Sequence, residues 1–121
     1  MVLAVALMAL LTITSMNVHY GYSNVTVTLG YQLNDLQKLG VFLFGAESIR
    51  DEILKLVNGS FSIERVGLSK AVLVFNVTDF GSYVYFGGAK LKERLNMTLI
   101  FPDNSTLNVT SDEIPAVYLF R

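Results

Sequence analysis

Six asparagines each stand two residues before a serine or threonine: Asn24-Val-Thr26, Asn58-Gly-Ser60, Asn76-Val-Thr78, Asn96-Met-Thr98, Asn104-Ser-Thr106 and Asn108-Val-Thr110. In such a triplet the asparagine side-chain nitrogen is the acceptor for an N-linked glycan. Only Asn17 and Asn34 lie outside one, a large excess over what the Ser and Thr content places by chance. The chemistry occurs on the extracytoplasmic side of a membrane, so the motifs predict an extracellular, cell-surface address. An alternating strand face also generates N-x-T triplets, because residues i and i+2 point the same way. Generic alternation would use Lys, Glu, Ser and Gln as freely as Asn, which favours the acceptor reading. Asn58 is the weakest of the six, since Ser replaces Thr.

Other reactive side chains are sparse. His19 is the single histidine and there is no cysteine, so no zinc site of the usual kind can be assembled. Asp51-Glu52 and Asp112-Glu113 are sequence neighbours, which diverge on a helix or strand and read as solvated charges. Pro102-Asp103-Asn104-Ser105 offers oxygen ligands but reads first as a turn carrying an acceptor asparagine. Tyr83, Tyr85 and Phe86 beside Gly87-Gly88 read as a hairpin sharing alternate residues with the core. The glycines form no phosphate-binding pattern, and no nucleophile lies near a base. The expectation is a chain that is not an enzyme and has no cofactor or metal.

The elements that must carry the acceptors are set by an unusually apolar composition. Hydrophobic residues make up 52% and charged residues 16% of 121, with a mean hydropathy of +0.49. That is too apolar for an ordinary soluble domain of this size and implies a membrane segment or surfaces buried against other subunits. The net charge of -1 and the lack of a Lys/Arg cluster argue against nucleic-acid binding. Sequons without cysteine fit archaeal surface proteins better than eukaryotic secreted ones, which would usually carry disulfides.

No charge precedes Asp35, and residues 1–16 are almost wholly apolar and rich in helix formers. A helix apolar on every face must be buried in lipid or in copies of itself. Residues 1–22 are therefore expected to be a hydrophobic helix for assembly or membrane insertion. Val2, Leu3, Val5, Leu7, Met8, Leu10, Leu11 and Ile13 are its candidate contact residues. Such a helix feeding into a small, threonine-rich, sequon-bearing β domain resembles an archaeal type IV pilin or archaellin. The resemblance implies a homopolymer, an extracellular filament whose N-termini pack into its core after residence in the membrane. A second filament type is also similar, in which an N-terminal strand completes the next subunit's sandwich. Thr12 and Thr14 around Ile13, and the β-prone stretch 18–31, would suit that donor strand. A membrane-anchored surface glycoprotein or accessory binding module is the alternative.

Residues 23–121 are expected to form a mainly β, sandwich-like domain of immunoglobulin or jelly-roll type. The spacing predicts strands at 18–31 (broken near Gly21), 41–44, 61–66, 71–78, 82–86, 95–101, 106–110 and 116–120. Turn residues separate them, including Gly67, Gly81, Gly87-Gly88, Pro102-Asp103-Asn104 and Pro115. The one amphipathic helix is predicted over 46–57, with Ala46, Ile49, Ile53, Leu56 and Val57 on its apolar face. Ser48 with Asp51 resembles an N-capping pattern, and Asn58-Gly59 a stop.

Overall fold

A computed structural model describes residues 12–121, and the fold is mainly β. Residues 1–11 lie outside the described residues, and with them all the candidate contact residues except Ile13. The apolar run does not continue as a helix to Tyr20 or Tyr22. Thr12–Tyr20 is strand β1, with Met16, Val18 and Tyr20 buried and His19 exposed between them. That period of two overrides the helix-forming composition, because only a strand can bury alternate residues of this stretch on one face.

β1 runs antiparallel to β2 (Asn24–Gln32) and parallel to β8 (Ala89–Ile100). β2 pairs with β5 (Lys70–Asn76), and β5 with β4 (Phe61–Val66). The far side of β8 pairs with β9 (Thr106–Ile114), and its first residues pair with the short β3 (Val57–Asn58). These seven strands make one sheet, ordered β3-β8-β1-β2-β5-β4 with β9 on β8. Both ends of that path, β3 and β4, are joined through Gly59-Ser60 alone, so the sheet must curl on itself. β8 also bends sharply. Between Lys90–Glu113 and Leu95–Ser111 it advances five residues while β9 advances two, and the surplus forms a bulge.

A second, three-stranded sheet is ordered β10-β7-β6, from β6 (Thr78–Asp79), β7 (Tyr83–Phe86) and β10 (Val117–Phe120). Phe86 ties it to the large sheet, with its ring 5.6 Å from Phe75 and 6.1 Å from Tyr20. The Tyr20 hydroxyl donates to Pro115 O at 2.9 Å, so the one polar atom of that buried ring is satisfied. Gly88 turns the chain from β7 into β8 at φ 81°, where a Cβ would meet Ile114 O at 2.6 Å. Only glycine fits there.

Among the described residues two helices, rather than one, interrupt the strands. The first, α1, is Asp35–Phe44, so the predicted strand at 41–44 is the last turn of a helix. Its cause is a capping box: Gln37 N–H donates to Asn34 Oδ1 and Asn34 N–H to Gln37 Oε1, both at 2.8 Å. Two orphan donors are thereby satisfied and helix starts at Asp35. The second, α2, is Glu47–Leu56, close to the predicted span, with Ala46 as N-cap and no side-chain cap; Ser48 is therefore not the cap. It ends at Val57, which is already extended, and Asn58-Gly59 follows as the exit from β3. Ile49, Ile53 and Val57 are buried, as its apolar face requires. Lys55 is exposed and pairs with Glu52 at 3.8 Å.

Candidate functional site: acceptor asparagines and an apolar pole

All six triplet asparagines, Asn24, Asn58, Asn76, Asn96, Asn104 and Asn108, are exposed. The strands bring several together. Asn24 and Asn76 are register partners on β2 and β5, which sets their Cβ atoms about 4.5–5.5 Å apart. On β8 and β9, Asn96 faces Thr110 and Thr98 faces Asn108, so one triplet lies antiparallel against another. The Thr98 hydroxyl donates to Asn108 Oδ1 at 2.9 Å, and the Thr110 hydroxyl donates to Asn96 Oδ1. Both bonds use Oδ1 and leave Nδ2, the atom to which an N-linked glycan would attach, uncommitted.

The outer face around this pair is polar, and the Arg94 guanidinium donates to Thr110 O at 3.1 Å beside it. Asn108, Thr98, Asn17 and Thr28 are successive register partners across β9, β8, β1 and β2. A shallow groove of about 400 Å³ runs between Thr14, Asn17, Asn96, Thr98, Asn108 and Thr110. His19 stands exposed on the same face, opposite Thr26 and Ile100.

Asn104 is different, because it sits in the turn between β8 and β9. Its φ of 67° is a left-handed conformation in which asparagine is enriched. Asp103 organises that turn, accepting from the N–H and the hydroxyl of Ser105. The Ser105 hydroxyl, then its N–H, hold the Asp103 carboxyl below its ordinary value. Its carboxylate is thus engaged within the turn. Asn58 closes β3 just before Gly59. Among the described residues, no three of His, Asp and Glu gather as a metal site would need.

The register gives the molecule two poles. At one end Tyr20 pairs with Val25, Asn24 lies beside Asn76, and Ile100 leads into the turn holding Asn104. At the other end Thr12 pairs with Gln32, two residues before the α1 cap Asn34. Thr12, the first described residue, therefore lies at the end of the sheet from which α1 leaves. Helix α1 carries exposed apolar side chains along its length: Leu36 at 47%, Leu39 at 49%, Phe42 at 86%, Leu43 at 60% and Phe44 at 72%. An apolar groove of about 580 Å³ separates it from Leu68. Ile13, the described member of the predicted contact set, instead lies half-buried against the core.

The exposed α1 face was not anticipated from sequence, although the Asn34-x-x-Gln37 spacing signals the helix start. Tyr83 and Tyr85 point away from the core while Val84 and Phe86 point in, as hairpin alternation predicts. Across the strands Tyr83 meets Tyr118 and Phe120 at 5.8 and 5.6 Å, and Tyr85 meets Tyr118 at 4.8 Å. Those partners are non-local. No family model, no curated protein and no solved structure matches the chain.

Proposed function

We propose that this chain is a non-enzymatic, N-glycosylated structural protein of the cell surface, and a subunit of an extracellular homopolymer of pilus type. The observation that carries this reading is the exposure of all six acceptor asparagines, three of them at the pole opposite Thr12, into which the apolar run leads. Glycans there would solvate the outward end of the subunit. The opposite pole, with Thr12 and α1, would be turned toward the membrane before assembly and toward neighbouring subunits after it. The two sheets bridged by Tyr20, Phe75 and Phe86 would serve as the sandwich-like outer domain of an archaeal pilin or archaellin. β1 is paired on both sides within its own chain, which disfavours Thr12–Tyr20 as a donor strand for a neighbour.

A membrane-anchored surface glycoprotein is the second reading, favoured by the apolar exposure of α1. Glycopeptide mass spectrometry of native material tests the part common to both, with glycan expected on most of Asn24, Asn76, Asn96, Asn104 and Asn108. Unmodified asparagine at most of these positions would remove the extracellular address. Electron microscopy of the same material separates the two readings, because only the first requires filaments.

A further inference from the structure

The last turn of α1 is apolar on every side. At about 100° per residue, Phe42, Leu43 and Phe44 span about 200° of the helix and all three are exposed, while Val41 completes the turn on the side packed against the core. Gly45 then breaks the helix at φ 79°, and the charges of α2 begin at Glu47. A protein partner docking on one helix face would cover part of that exposed arc and leave the rest in water. Lipid can cover the whole of that arc, which is wider than the roughly 100° stripe by which a helix packs on one partner. The wholly uncharged sequence 1–11 leads into Thr12, which lies at this same pole beside Gln32, two residues before the α1 cap, while Asn24, Asn76 and Asn104 stand at the other. Contiguous apolar exposure of this kind marks an interaction surface.

We infer that the α1 tip, Phe42-Leu43-Phe44, inserts into a lipid bilayer and seats the β domain against it with the acceptor asparagines facing away. Asp35 and Lys38 are the charged residues of α1 and they cancel, so insertion is driven by apolar transfer and needs no anionic lipid. The inference rests on the surface-protein reading only for the side of the membrane on which the domain sits.

The chain contains no tryptophan, so Phe42→Trp in the full chain reports on the tip alone and is blind to residues 1–11. Neutral phosphatidylcholine vesicles are expected to shift its emission to shorter wavelength. Lipids brominated in their acyl chains are expected to quench it. Leu107→Trp, at the far pole, is expected to stay unquenched. Phe42→Asp should weaken vesicle partitioning roughly tenfold or more, the scale set by transfer of one phenylalanine side chain. Emission from Phe42→Trp that vesicles leave unchanged overturns the inference. So does a shift that appears without lipid and grows with protein concentration, which would mean that a second copy covers the tip. Neither outcome touches the glycopeptide result, so the two readings fail separately.

Discussion

Thr98 and Asn108 face each other across β8 and β9, and the Thr98 hydroxyl donates to Asn108 Oδ1 at 2.9 Å. Each hydroxyl belongs to one acceptor triplet and each amide oxygen to the other, since Thr110 returns the same bond to Asn96. Cross-strand threonine pairs of this kind stabilise a sheet by about 0.2–1 kcal/mol. Thr98→Val keeps the branched shape but removes the hydroxyl. It is expected to cost no more than about 1 kcal/mol in chemical denaturation of unglycosylated protein. If the triplets are modified as proposed, it should abolish the glycan on Asn96 in native material and spare that on Asn108. Because the bond uses Oδ1, a glycan on Asn108 Nδ2 should leave that stability difference unchanged. A difference that vanished on glycosylation would mean that the pair cannot persist in the modified protein.

Much of the β domain was legible because its strands alternate. Val25, Val27 and Leu29 are buried between the outward residues of β2, and the strand at 61–66 falls where predicted. The 3.6-residue spacing of Ile49, Ile53 and the adjacent Leu56-Val57 sufficed for α2. Two elements were misread for one reason: composition does not fix period in a short apolar run. Residues 41–44 look the same as strand or helix until Asn34 and Gln37 are recognised as a reciprocal cap. Thr12 to Tyr20 inherits an uncharged, helix-prone lead, and its strand identity comes from pairing with β2 and β8, which are distant in sequence. The exposed apolar pole was hidden for the same reason. An apolar run announces burial, and nothing local says that α1 leaves its apolar side chains outside.

Ile53 has no exposure and anchors α2 to the core. Ile53→Ala should leave a cavity and cost roughly 2–5 kcal/mol. Lys55→Ala removes only an exposed i,i+3 contact with Glu52 and should stay within about 0.5 kcal/mol. Thermal or denaturant unfolding that ranked the two in reverse would mean that the charged side of α2 is the one holding a partner.

Alkaline conditions should weaken the domain through its buried tyrosines. Burial pushes the Tyr20 hydroxyl far above its ordinary value of 10.0, and burial also raises Tyr31 against the opposing effect of its bond to Gly67. The folded chain thus keeps protons that the unfolded chain releases near pH 10. Stability from this source is fully present below that pH and is lost as the solution becomes more alkaline. Tyr20→Phe should lose about 1 kcal/mol at neutral pH with the bond to Pro115. It should also show a shallower decline between about pH 9 and pH 11. An equal decline in both proteins would assign the alkaline loss elsewhere.

Where the chain can be shortened separates fold from assembly. Met16, Val18 and Tyr20 of β1 are at most 3% exposed, and each contributes about 1.5–3 kcal/mol on burial. Their combined loss, roughly 5–9 kcal/mol, is comparable to the whole stability of a domain, about 5–15 kcal/mol. It would also strip β2 and β8 of the strand that pairs them. A chain beginning at Ser23 is therefore expected not to fold, whereas one beginning at Thr12 keeps every described strand and should unfold cooperatively. In the filament reading the Thr12 chain remains monomeric by sedimentation, because the residues proposed to drive assembly are gone. Filaments grown from the Thr12 chain would move assembly out of residues 1–11 and onto the β domain, where the aromatic face of Tyr83, Tyr118 and Phe120 is the next surface to test.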